Sequence, residues 1–252
     1  MLQTLHFATQ EISIYNLMVA LGVGCGVFLA LWQAGRLRLD DEQTTRVIAV
    51  IPYAFLFGTV TGYLSFKWFY FEWPWDVVYG PARVGFTYFG WFLGAVMCVW
   101  VYSKIVKIPF WFLLNFHIPS FAVAQALGRI GCFFGGCCYG KPCVSGWGVV
   151  FPENSPAWLH YGETAIWPVQ GMEAVCLLGI FFFLWRVDFH RRSAWYFVLY
   201  PGSRFLLEFL RGDDRGSLLG LPWFSPAQWL SLVLLIFGVG LLYVTHDLRR
   251  KK

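Results

Sequence analysis

The sequence predicts an all-α membrane protein of about seven transmembrane helices. Two observations carry this. Of 252 residues, 58% are hydrophobic and only 13% charged, against about 25% charged in a typical soluble domain. The charges that exist are set aside, leaving uncharged stretches close to the ~20 residues that a bilayer core requires. Aromatic residues reach 21%, which together with the rest excludes disorder, a coiled coil and most soluble enzymes. A net charge of +5 fits cationic loop anchors rather than a nucleic-acid surface, so no nucleic-acid partner is expected.

The spans follow in order. Residues 12–35 carry no charge, nor do residues 47–66 and 86–103. Residues 108–128 form a fourth run, broken only by His117. Residues 164–185 hold one acid, Glu173, and residues 193–210 hold Arg204 and Glu208. Residues 216–246 are a long seventh run. No basic segment precedes the first run, so it reads as a retained helix rather than a cleaved signal. With the N-terminus outside, 12 of the 19 Lys and Arg residues fall on the inner side, and the positive-inside rule then gives N-out, C-in. Three glycine pairs four apart, Gly58 and Gly62, Gly90 and Gly94, Gly131 and Gly135, predict close helix approach. The whole chain, 1–252, reads as one integral membrane domain. Its one long connection, 131–166, is a Cys- and Gly-rich periplasmic cap loop, ordered by Phe133, Tyr139, Trp147, Phe151, Trp158 and Tyr161.

Charges inside the spans point to a site. A mid-membrane Arg costs at least about 2.5–3.5 kcal/mol, so Arg129 requires a polar cavity, a partner or a helix end from which to snorkel. Arg204, Glu208 and Arg211 are spaced by four and three residues and share a helical face. Two arginines opening to the outer leaflet suit a lipid phosphate, which guanidinium binds in a bidentate manner. Cys25, Cys98 and Cys176 read as apolar fillers. Cys132, Cys137, Cys138 and Cys143 form a thiol cluster: one or two disulfides, or free thiols at the bundle mouth, fit better than a metal site. The C-x4-C-C-x4-C spacing is not a zinc-finger pattern, and adjacent cysteines rarely ligate together. No metal is therefore expected. His160 reads as a loop histidine without a role.

Residues 128–141, GRIGCFFGGCCYGK, resemble the G-R-x-G-N-F-x-N-G-E-x-x-G signature of the bacterial prolipoprotein diacylglyceryl transferase family. Gly128, Arg129, Gly131, Phe133, Gly136 and Gly140 match. Residues 167–174, WPVQGMEA, are similar to the family's H-P-S-Q-L-Y-E, sharing Pro168, Gln170 and Glu173. Residues 204–211, RFLLEFLR, resemble R-F-x-x-E-F-x-R, and SPAQ at 225–228 resembles S-M-G-Q. Ile14, Tyr15, Asn16 and Leu17 resemble W-Y-G-L. The resemblance implies seven helices, N-out and C-in, in the bacterial inner membrane with the site facing the periplasm. It implies transfer of a diacylglyceryl group from phosphatidylglycerol to the cysteine thiol of a lipobox-bearing protein, with no cofactor. Arg129, Arg204 and Glu208 become the catalytic candidates. Tyr15, Gly140, Lys141, Gln170, Glu173 and Arg211 become the substrate-binding candidates.

The departures fall on proton-handling groups. The His of the family's H-G-G-L-I-G segment is Phe89, the signature Asn is Cys132, and the signature Glu is Cys137. The His of H-P-S-Q is Trp167, and the Arg of G-A-R-I-G is Val60. Without that His, Glu173 and Glu208 are the candidates to take the thiol proton. Two alternatives stay open beside a divergent transferase. One is a lipid-binding subunit of a larger membrane complex. The other is a thiol-redox protein using the cysteine cluster.

Overall fold

A computed structural model describes residues 4–7, 10–70, 87–213 and 223–250. A short hairpin opens the chain: β1 (Thr4–Phe7) pairs antiparallel with β2 (Gln10–Ser13). All longer elements are helical: α1 (Ile14–Arg36), α2 (Asp41–Ile48), α3 (Val50–Tyr70), α4 (Tyr88–Val106), α5 (Phe110–Gly135), α6 (Pro156–Tyr161), α7 (Val169–Arg186), α8 (Arg192–Glu208) and α9 (Pro226–Arg250). The helices track the uncharged runs because an unpaired charge is costly in lipid. Residues 214–222, at the start of the seventh run and just before it, lie outside the described residues.

Five described stretches are long and apolar enough to cross a membrane: Ile14–Arg36, Asp41–Lys67, Phe110–Gly135, Val169–Arg186 and Pro226–Thr245. By these criteria five of the expected seven spans are found among the described residues. The apolar part of α4, Gly90–Val106, is shorter, and α8 carries Arg204 and Glu208 in its 17 residues. Large apolar side chains such as Phe28, Leu56, Val175 and Ile236 stand exposed on these helices. In water such a surface would be a liability; in lipid it is the ordinary outer face of a membrane protein.

The residues form two compact units, Ala30–Phe116 and the remainder. In the Ala30–Phe116 unit, Asp40 caps α2 by accepting from the Gln43 amide at 2.7 Å, and Asp41 and Glu42 complement the helix dipole. Gln33 Nε2 donates to the Phe116 carbonyl at 2.9 Å. Helices α3 and α4 pack as the glycine pairs predict. A Cβ on Gly58 would lie 2.9 Å from the Trp91 carbonyl oxygen, and one on Gly94 would strike Thr61 Oγ1 at 1.8 Å. Thr61 Oγ1 donates to the Gly90 carbonyl across this contact at 3.0 Å. Val60 stands exposed on α3, and the side chain of Phe89 lies outside the described residues.

In the other unit, α1 crosses α5 closely: a Cβ on Gly22 would come within 2.9 Å of the Ala124 carbonyl oxygen. The third glycine pair is divided, since Gly131 faces Met18 and Tyr15 while Gly135 has nothing within 4 Å. Helix α9 lies on α8, where Phe197 and Phe237 meet edge to face at 5.4 Å. The expected cap loop begins later than residue 131, because α5 continues to Gly135. Beyond it, Phe151, Ala157 and Ile166 form a small core with Phe133, Tyr139, Val149 and Tyr161 against it. Ser155 caps α6 by accepting from the Trp158 amide. Trp147 is 76% exposed at the cap's edge.

Candidate functional site

Helix α5 delivers Arg129 six residues before its end rather than at it. A helix-end Arg reaching for water is therefore not what the fold builds. Arg129 Nε meets Glu173 Oε1 of α7 at 3.1 Å, with the Glu173 side chain fully buried and that of Arg129 11% exposed. Tyr200 of α8 donates to the same Glu173 oxygen at 3.2 Å. Three helices thus converge on one carboxylate. A buried carboxylate needs such partners, because an unpaired charge there is expensive.

The second group sits at the end of α8. Arg204 Nη2 meets Glu208 Oε2 at 2.6 Å, both side chains nearly fully buried. Arg211 Nε lies 3.8 Å from the same oxygen. Arg211 also forks onto Asp213, with Nε to Oδ1 at 2.9 Å and Nη2 to Oδ2 at 2.8 Å. Ser225 Oγ donates to Glu208 Oε1 at 2.8 Å. Ser225 also caps α9, accepting from the Gln228 amide while its own amide donates to Gln228 Oε1. The SPAQ segment therefore both starts a helix and steadies Glu208. The two groups are one electrostatic unit: Glu173 interacts with Arg129, Arg204 and Arg211 together, and Arg204 with Arg129 as well. Arg204 Nη1, Arg211 Nη1 and Glu173 Oε2 are buried without a hydrogen-bond partner among the described residues. Buried donors of that kind are rare unless something else accepts from them.

Main-chain bonds join the cap to this group. Lys141 N donates to the Leu210 carbonyl at 2.8 Å, Gly212 N to the Tyr139 carbonyl at 3.0 Å, and Trp167 N to the Lys141 carbonyl at 3.0 Å. Gly140 and Arg211 are bridge partners. Only glycine fits at 140, since a Cβ would stand 2.4 Å from the Trp167 carbonyl oxygen. Lys141 is exposed, and its tie to this group runs through its main chain. Gln170 is buried and donates from Nε2 to the Cys137 carbonyl at 2.7 Å. Tyr15 lies at the edge, its ring against the backbone of Gly131 and within electrostatic reach of Arg129. His160 is exposed and shares a 3.2 Å hydrogen bond with Tyr139 Oη.

Of the four clustered cysteines the structure gathers three. The sulfurs of Cys132, Cys137 and Cys138 lie within 4.8 Å of one another, and all the described cysteines are free thiols. Cys143 is elsewhere, its Sγ 3.1 Å from Ser145 Oγ. The chain turns back through two left-handed residues, Gly136 (φ 65°) and Cys138 (φ 58°). This backbone overcomes the usual divergence of adjacent side chains, and spacing alone gave no sign of it. Hydrogen bonds from the Cys132 and Cys137 thiols hold the Cys138 thiol well below its ordinary range, aided by Arg211 and Arg129 against burial. Hydrogen bonding to Cys132 and Cys138, then burial, pushes Cys137 up.

Sequence reasoning missed Tyr200, whose hydroxyl serves Glu173, and Tyr196, which donates to Gln125 Oε1 at 2.7 Å. Both lie on the face of α8 that carries Arg204, four and eight residues earlier; that periodicity was the available signal.

Known proteins are similar in sequence to this chain over nearly its whole length. The chain matches the prolipoprotein diacylglyceryl transferase family over residues 3–244. A phosphatidylglycerol–prolipoprotein diacylglyceryl transferase 2 of Clostridium perfringens is 28% identical, over 94% of this chain and 92% of its own. A phosphatidylglycerol–prolipoprotein diacylglyceryl transferase of Clostridium tetani is 31% identical, over 89% and 90%. One of Stenotrophomonas maltophilia is 29% identical, over 92% and 87%. With nearly the full length matched and the motif-bearing segments gathered in the fold, the chain belongs to the prolipoprotein diacylglyceryl transferase family.

Proposed function

We propose that this protein transfers the diacylglyceryl group of phosphatidylglycerol to the cysteine thiol of a lipobox-bearing protein. The observation that carries the reading is the buried arginine group, in which Arg204 and Arg211 keep Nη1 donors without a partner among the described residues. A phosphate placed there accepts from both, with Arg129 across Glu173. The substrate sulfur attacks the glycerol carbon bonded to that phosphate. A carbon–sulfur bond forms, the carbon–oxygen bond breaks, and glycerol phosphate leaves. Charge builds on the leaving phosphate, where fixed guanidinium groups in a dry site stabilise it most. Glu208 holds Arg204 in place and, with Glu173, is a candidate acceptor for the thiol proton; Glu173 Oε2 is unpartnered among the described residues. Tyr15, Gly140, Lys141 and Gln170 frame the lipid and the incoming peptide.

The same proposal makes the chain a single bacterial inner-membrane domain of seven helices, α4 and α8 completing the five long spans. Its N-terminus is outside and its site faces the periplasm, supported by 12 of 19 basic residues on the inner side. The purified protein is incubated with phosphatidylglycerol and a lipobox peptide, and the product is read by mass spectrometry. A thioether-linked diacylglyceryl peptide is expected. Retention of the lipid with no product would overturn the transfer and leave a lipid-binding subunit.

A further inference from the structure

We infer that Cys132, Cys137 and Cys138 form a three-thiolate site for a thiophilic divalent cation of the zinc class, with its fourth position left for a substrate thiol. Three sulfurs within 4.8 Å of one another match a common centre with zinc–sulfur bonds of about 2.3 Å, which sets neighbouring sulfurs roughly 4 Å apart. The spacing argument against adjacent cysteines as ligands presumes that their side chains diverge. Here the left-handed backbone at Gly136 and Cys138 folds both back onto Cys132 at the end of α5. The Gln170 amide pins the Cys137 carbonyl at 2.7 Å, and a fixed outer contact of this sort orients a ligand. Three thiolates around a divalent cation leave one net negative charge, and Arg129 and Arg211 are the cations that act on Cys138.

Three protein ligands make an open site rather than a closed structural one. Gln170, which bonds the Cys137 carbonyl at 2.7 Å, lies three residues before Glu173 on α7, so the cluster neighbours the Glu173–Arg129 pair and its open position is assigned to the side of the proposed phosphate group. This second half of the inference rests on the transferase reading. A substrate S–H taking that position loses its proton to Glu173, and the sulfur stays bound as thiolate. It then forms the bond to the glycerol carbon as the carbon–oxygen bond to phosphate breaks. Glycerol phosphate departs and the proton passes to water.

The test uses the full-length protein in detergent micelles, reduced and stripped of metal, with Co²⁺ as the probe. One equivalent is expected to give a sulfur-to-cobalt charge-transfer band that Zn²⁺ displaces. C132S, C137S and C138S should each lose the band, while C143S keeps it. Adding a lipobox peptide should shift the cobalt spectrum, and a peptide with Ser for Cys should not. Removing the metal should slow diacylglyceryl transfer by about 100-fold, the lower range for a positioned proton-handling group. Absence of the band with thiols titrated as reduced overturns the site, as does a native disulfide between any two of the three. Transfer at full rate in metal-free protein overturns the role and leaves the transferase standing. A cobalt site with no transfer from any phospholipid leaves the site standing and sinks the transferase.

Discussion

Arg129 of α5 and Glu173 of α7 meet at 3.1 Å, with the carboxylate fully buried. The pair ties two helices that are distant in sequence, and it places the first arginine of the site. Removing one partner strands the other's charge. We expect Arg129→Ala to destabilise the protein by about 3–5 kcal/mol, measured by denaturant unfolding in micelles. The Arg129→Ala/Glu173→Ala double variant should cost less than the sum of the two single changes. Full additivity would show that the pair is not coupled.

Arg204→Ala should weaken phosphatidylglycerol retention by about 1.5–3 kcal/mol, the scale of a hydrogen bond to a charged group. Arg211→Ala should follow it. Phe89→Leu should change neither retention nor transfer, because an aromatic ring carries no proton. Co-purified lipid measured by mass spectrometry decides the matter. Unchanged lipid in Arg204→Ala would remove the phosphate from this group.

Gly140→Ala puts a methyl 2.4 Å from the Trp167 carbonyl oxygen. The Gly140–Arg211 bridge must give way, at a cost of about 1–3 kcal/mol, and transfer should fall with stability. Gly146→Gln offers a contrast, since no atom lies within 4 Å of its Cβ position; its left-handed backbone makes any loss there one of backbone strain alone.

In metal-free protein, Cys138 should alkylate at lower pH than an ordinary thiol of pKa about 8.5. Its folded value is depressed, so the thiolate persists as pH falls below that range and disappears only on passing the lower folded value. Cys137, shifted upward, should stay unlabelled. Arg211→Ala removes a cation that favours the Cys138 thiolate and should move its labelling curve to higher pH. Peptide mapping after iodoacetamide treatment reads both curves. Identical curves for the two cysteines would contradict the assignment.

A reporter fused after Lys252 should be active in the cytoplasm and silent in the periplasm. The opposite pattern would invert the topology drawn from the basic residues.

The helices were legible because the cost of a charge in lipid is written directly into the sequence: each uncharged run became a helix or most of one. Arg129 shows where that logic stops. A charge after a long apolar run reads as a boundary, yet α5 passes through it because Glu173 waits on another helix. Arg204, Glu208 and Arg211 were legible by spacing; Tyr200, four residues before Arg204 on the same face, follows the same period, but in an aromatic-rich helix the identity of its partner does not show. The four cysteines read as one cluster. Three converge and Cys143 does not, a difference that lies in two positive φ angles and not in the spacing. The β1–β2 hairpin left no recognisable pattern in so short a segment.

The bridge between Gly140 and Arg211, with its neighbours at Lys141, Trp167 and Gly212, is made of main-chain bonds. Its geometry asks for glycine at 140 and at 212, where a Cβ would stand 2.5 Å from the Gly140 carbonyl oxygen, but its bonds do not run through side chains. A scaffold held this way can exchange the chemistry it displays without renegotiating its shape. Sulfur in place of an amide at 132 and of a carboxylate at 137, an indole in place of an imidazole at 167, are exchanges of that kind. Where the family signature is altered, the chain is joined to its neighbours through peptide groups, so a change of reactive side chain there leaves those bonds in place.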